Sequence, residues 1–229
     1  MPDARVKVLR DAVLQGLGAP ELWPEWRGGW PNRADLALLD AVYSTRQRYE
    51  RTVLPKVHQW RDKHPTPATP ELHYLSQIDE SEIRNVFGKT VMPGVRGTAG
   101  QRKKKSVGIV ETAKRLCASE PRLASANDII TDVARNGRER IVALLRETKG
   151  IGPATASYFL ILLGIDGVKV DTLLGSWVRT QLNDPSLTDN TITALVAQVA
   201  SDFKRQVRDL DYAIWRHESA RRGTRPRRS

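Results

Sequence analysis

KGIGPATASYFLILLGIDGVKVDTLLGSW, residues Lys149 to Trp177, is the stretch whose reading decides the fold. Just upstream, Arg138 to Glu147 carries Ile141, Val142, Leu144 and Leu145 at helical spacing, and Gly150 and Gly152 break it. Pro153 suits the first position of a new helix, where a missing N–H costs nothing. That helix, Ala154 to Leu163, is apolar along most of its length, which predicts burial, and Gly164 is placed to end it. A Gly-x-Gly turn facing a helix N-terminus leaves backbone N–H groups unpaired, and these can hold a phosphate, with Lys149 adding charge beside them. A tight turn between two core helices fits the same residues. Farther on, Val170-Asp171-Thr172 opens a third helix, Thr172 to Gln181, with Leu173, Leu174, Trp177 and Val178 inward. Asp171 there is a good N-cap, its carboxylate accepting from first-turn amides. A cap proves nothing about catalysis, but a firmly held carboxylate at a cleft can stabilise nearby positive charge or orient a water.

The rest of the composition narrows the partners. The chain has 229 residues, a net charge of +11, a pI near 10.1 and 40% hydrophobic residues. That is enough for one large or two small helical domains, and the charge points to nucleic acid before an anionic membrane. The longest apolar run, around Tyr158 to Leu163, is too short to span a bilayer, and Met1 to Leu14 is charged rather than leader-like, so no membrane association or secretion is expected. A single cysteine, Cys117, leaves no disulfide framework and no four-cysteine cluster ligand set. His58, His64, His73 and His217 show no ligand spacing, so neither metal nor other cofactor is expected. Phe87-Gly88-Lys89-Thr90 suggests a phosphate loop, but position 83 is Ile83 where such a loop needs glycine.

KGIGPATA resembles the helix-hairpin-helix motif of the DNA glycosylase superfamily, L-P-G-h-G-x-x-T-A. In that superfamily a valine-aspartate-threonine element follows the second hairpin helix, and here Asp171 lies nineteen residues after Gly152. The hairpin alone also occurs in nucleases, polymerases and ligases; the pair is more specific. The resemblance implies an all-α fold of two helical lobes with DNA in the cleft between them. The central lobe would span 34–163, and the second 1–33 plus 164–220, followed by a disordered basic tail at 221–229. It implies that Lys149, Gly150, Ile151, Gly152, Ala154 and Thr155 meet the DNA backbone and that Asp171 is catalytic. Members that also cleave the strand carry a lysine two residues after the second glycine; this chain has Ala154 there. The implied activity is hydrolysis of the N-glycosidic bond of a flipped, damaged or mismatched base, without strong lyase activity. The implied setting is double-stranded DNA, a monomer, and the cytoplasm (at the nucleoid) or nucleus. A non-catalytic protein recognising damaged or structured DNA would share the hairpin and the charge.

Elsewhere the reading is mostly helical. Ala4 to Leu17, Ala34 to Tyr49, Glu50 to Lys63, Glu71 to Val86, Ser106 to Leu116, Asp128 to Val133, Thr191 to Val207 and Asp209 to Ala220 have helical patterns. Trp23, Trp26 and Trp30 sit among prolines and glycines, with packing the default and base stacking the alternative. Pro65 to Pro70 reads as a turn. By the resemblance, Arg46 or Gln47, at the end of the Ala34 helix, would fill the gap a flipped base leaves; a polar helix end in solvent is the other reading. Met92 to Lys105 reads as a glycine-rich basic loop in which Arg96, Arg102, Lys103, Lys104 and Lys105 have no acid between them. It is a candidate phosphate clamp or a solvated loop. Strand signals are nearly absent.

Overall fold

A helix that is apolar all round must be enclosed by others, and the residues from Pro153 to Leu162 are the clearest case. The structure, a computed structural model, describes residues 3–26, 28–65, 70–96 and 102–223. In chain order the helices are α1 (Ala4–Leu17), α2 (Ala34–Tyr43), α3 (Leu54–Lys63), α4 (Glu71–Gln77) and α5 (Glu80–Phe87). A two-stranded antiparallel hairpin follows, β1 (Val91–Arg96) and β2 (Arg102–Lys104), pairing Val91 with Lys104 and Arg96 with Arg102. Then come α6 (Lys105–Cys117), α7 (Ala126–Asn136), α8 (Glu139–Arg146), α9 (Pro153–Leu162), α10 (Thr172–Gln181), α11 (Asp189–Asp202) and α12 (Val207–Gly223). The fold is all-α apart from that hairpin. No described helix is long and apolar enough to cross a membrane.

The chain divides into two units: Gly29–Ile165, and Met1–Gly28 with Asp166–Ser229. In the first, α2 is enclosed along its whole length and α9 from Tyr158 onward, and Leu36, Leu39, Trp60, Leu75, Ile109, Leu145, Phe159 and Leu160 form its core. Full enclosure of α2 also buries Asp35 and Asp40, and each is matched. Arg33 forks onto Asp35 at 2.8 Å, and Asp40 accepts from Trp30 Nε1, Tyr49 OH and Ser44 Oγ, each at 2.9 Å. Buried carboxylates without such donors would cost several kcal/mol, about 3–5 for a broken pair. In the second unit α1, α10, α11 and α12 share a core of Leu9, Val13, Trp23, Leu174, Trp177, Ile192, Val196, Val199, Leu210 and Ile214.

Several helices differ from the sequence reading, for local reasons. The Ala34 helix stops at Tyr43, and the chain turns through Arg46 at φ 57° before a wide π turn, Tyr49–Val53, leads into α3. The single helix expected over Glu71 to Val86 is two, because Asp79 leaves the helical region and caps α5 through Ser81 N at 2.7 Å. The short helix expected from Asp128 starts earlier, at Ala126, under a capping box of Ser125 and Asp128. The expected Met92–Lys105 loop is the β1–β2 hairpin leading directly into α6, with 97–101 outside the described residues. All three N-terminal tryptophans pack. Trp23 is buried, Trp26 meets Tyr212 edge-on, and Trp30 meets His58 edge-on. In the expected tail, residues 221–223 continue α12 and 224–229 lie outside the described residues.

Candidate functional site

The hairpin turn lies in the Gly29–Ile165 unit, between α8 and α9. Its two glycines do different work. Gly150 sits at φ 102°, and a Cβ there would stand 2.9 Å from Met92 Cβ and 3.1 Å from Val95 Cγ2. It is glycine because the backbone is left-handed and β1 runs against it. Gly152 has extended backbone, φ −89°, with nothing within 4 Å of a Cβ. Sterics inside the protein do not demand glycine there. Ile151 turns its side chain into the core, so it contributes backbone alone to the turn's outer face, while Lys149 is exposed. The turn closes through Ile151 N to Thr148 O at 3.0 Å, and buried Thr148 bonds Thr112 Oγ1 at 3.0 Å. Among the described residues no side chain caps α9, and Pro153 occupies its first turn. The amides of Ala154 and Thr155 thus start a helix whose positive end has no side-chain partner, the arrangement that accepts an anion.

The other cations expected to meet DNA are not equivalent. Arg46, Gln47 and Arg102 are exposed. Lys103 pairs with Glu111, and Lys104 pairs with Glu80 at 3.1 Å, so both charges are partly matched within the unit. Lys105 requires a correction. It is not a loop cation but the first residue of α6, 1% exposed, donating to Tyr43 O at 3.1 Å and Thr45 O at 2.9 Å. Those carbonyls end α2, where the helix dipole favours a cation. Burial pushes the Lys105 ammonium down to about 8. Its place is to tie off α2 below the turn that carries Arg46 and Gln47, where it cannot reach a phosphate.

Asp171 lies in the other unit and caps α10. Its Oδ1 accepts from Leu173 N at 2.8 Å and Leu174 N at 3.1 Å. Among the described residues Oδ2 accepts no hydrogen bond. Asp171 is partly exposed and lines an open cavity of about 800 Å³, together with Val170, Thr172, Ser176, Arg179 and Thr180. Thr172, Ser176 and Thr180 fall every four residues on the exposed face of α10, so hydroxyls line one wall. Arg179 is committed elsewhere, to Leu187 O at 2.7 Å and Asp189 at 2.9 Å.

Two carboxylates behind Asp171 escaped the sequence reading. Asp166 caps α12, accepting from Val207 N at 3.3 Å and Arg208 N at 3.1 Å. Asp211 Oδ2 accepts from Lys169 N at 2.8 Å, across 42 residues. No motif marks either; the one trace in the sequence is an acid, Asp211, beside the inward Leu210, Ala213 and Ile214.

Comparison with known proteins gives a family and a fold. Residues 7–219 match the model of a domain of unknown function, DUF8548, and the chain belongs to that family. No curated protein sequence matches it. Among solved structures it is similar to MBOgg1, determined in complex with a low-affinity DNA ligand. The TM-score is 0.54 at 14% identity, covering 94% of this chain and 67% of that one. It is also similar to the 8-oxoguanine DNA glycosylase of Methanocaldococcus jannaschii, with TM-score 0.52 at 15% identity, covering 96% and 90%. At such identities the likeness is one of fold.

Proposed function

We propose that this member of the DUF8548 family is a DNA glycosylase that acts as a monomer on duplex DNA. It would extrude a damaged or mismatched base and hydrolyse its N-glycosidic bond with help from Asp171. The observation that carries this reading is Asp171: one carboxylate oxygen fixed by two helix amides, the other without a hydrogen bond among the described residues, on the wall of a cavity of about 800 Å³. That volume lies in the range of small-molecule sites, about 300–1,000 Å³.

In this mechanism the C1′–N bond breaks with its electron pair leaving on the base, and positive charge grows on the sugar. A carboxylate already held in place stabilises that charge without reorganising. A water oxygen then bonds C1′ and gives up its proton to Asp171 or solvent. The amides of Gly152, Ala154 and Thr155, with Lys149, hold a backbone phosphate. Exposed Arg46 or Gln47 occupies the space the base vacates. With Ala154 where strand-cleaving relatives carry lysine, water is the nucleophile and no Schiff base forms on the hairpin.

The test is a panel of duplexes, each with a single altered base, starting with 8-oxoguanine. The wild type is expected to leave alkali-labile sites at one or more lesions, and Asp171→Asn to bind the same duplexes without doing so. Tight binding by the wild type with no base released from any lesion would make the protein a non-catalytic DNA-binding module. Borohydride is expected to trap little wild type on DNA and more Ala154→Lys.

A further inference from the structure

The segment from Asp166 to Asp171 is stitched to α12 at two points. Asp166 grips the first amides of that helix. One turn farther along, Asp211 accepts from Lys169 N at 2.8 Å. Lys169 in turn accepts from Asp171 N through its carbonyl at 2.7 Å, closing a three-residue turn. A chain of four hydrogen bonds therefore runs from α12 through the Lys169 backbone to Asp171 and on to the amides of Leu173 and Leu174. A carboxylate that accepts from the backbone two residues before another carboxylate sets that second group's position and also acts on its charge.

We infer that Asp211 is a positioning residue for Asp171: it holds the turn that presents the Asp171 carboxylate, and by gaining or losing its own proton it changes the negative field at the cavity. This inference rests on the glycosylase reading for its effect on rate.

Burial raises Asp211 to about 7, the amide bond from Lys169 works against that, the Asp171 charge raises it further, and the Lys169 charge lowers it. Both of those charges lie on the 166–171 segment. Near neutral pH Asp211 thus exchanges between a neutral and an anionic form. The anion is the better acceptor for Lys169 N and adds negative charge near a sugar cation, so the rate rises as the proton leaves. Asparagine keeps an acceptor for the Lys169 amide and cannot ionise; alanine removes both.

Single-turnover base release by the full chain is expected to rise with pH through about 7. Asp211→Asn should show no such step, matching wild type at pH 6 and running about tenfold slower at pH 8, with DNA affinity unchanged. Asp211→Ala should be slower at every pH. An Asp211→Asn profile that keeps the wild-type step overturns the inference. Side-chain carboxyl ¹³C NMR of the free protein gives a second, activity-independent reading. Asp211 should titrate near 7 and move down in Asp171→Asn, where a neighbouring charge is lost. An Asp211 that titrates in the ordinary carboxylate range in both proteins also overturns it. Coupled titration without base release from any duplex would sink the glycosylase reading and leave the Asp171–Asp211 pairing standing.

Discussion

Among the described residues α9 begins at Pro153 with no side-chain cap, whereas α10 begins under Asp171, whose Oδ1 takes the amides of Leu173 and Leu174. A helix N-terminus carries roughly half a positive charge. In α10 that charge fixes a carboxylate belonging to the chain itself and leaves its second oxygen to act on something else. In α9 it remains available to an anion from outside, and the exposed Lys149 reinforces it. The same elementary device thus holds a carboxylate of the chain in one unit and, in the proposed function, takes a phosphate in the other. The two turns also differ in what glycine does for them. Gly150 is held by conformation and by the closeness of β1, while Gly152 is open on its outer side.

The sharpest way to break the comparison is Asp171→Asn. Asparagine caps a helix nearly as well as aspartate, so the melting temperature should hardly move. Base release should fall by about 10²–10⁴. Retained activity would reduce α10 to an ordinarily capped helix. Gly150→Val comes next: at φ 102°, with Met92 and Val95 within about 3 Å of the new Cβ, urea unfolding should show a loss of about 3 kcal/mol. A mild effect would mean that β1 yields easily.

The support behind Asp171 has its own signature in stability. Asp211 sits at about 7 in the folded chain against 3.8 for an ordinary aspartate. The folded state therefore binds that proton more tightly. The resulting contribution is full below about pH 4 and is lost as pH rises through 7. Comparing urea unfolding at pH 4.5 and 8, wild type should lose roughly 3 kcal/mol more than Asp211→Asn. Equal losses would show that Asp211 titrates alike in both states.

Smaller effects separate the two glycines and test the charge. Gly152→Val should leave stability within about 0.5 kcal/mol of wild type. It should raise the Kd for duplex DNA about tenfold, because the side chain would stand over the amides that the proposed function gives to a phosphate. Unchanged affinity would remove α9 as an anion site. Lys149→Ala should weaken binding a few-fold and flatten the salt dependence of log Kd by about 0.9, the share of one phosphate contact.

Some of this was legible in the residues and some was not. α9 could be read directly because every face is apolar, and the start of α10 because aspartate preceding an amphipathic run is a local signal. The hairpin of β1 and β2 was missed because Val91-Met92-Pro93-Gly94 has no alternation, and its pairing partner begins at Arg102, across intervening residues. The run of lysines before α6 was read as one basic cluster. In the fold Lys103 and Lys104 have acids of their own, and Lys105 faces the carbonyl end of α2, some 60 residues earlier.

Local residues were enough for most of the helices, though not their ends, for the turn at Gly150, the cap at Asp171 and the excess of positive charge. Each depends on residues within a few positions of one another or on composition. The three-dimensional packing settles which lysine is buried, that Asp211 reaches back to Lys169, and that Asp171 lines an open cavity. Those outcomes depend on which distant backbone groups are brought within 3 Å, and no short stretch of sequence carries that information.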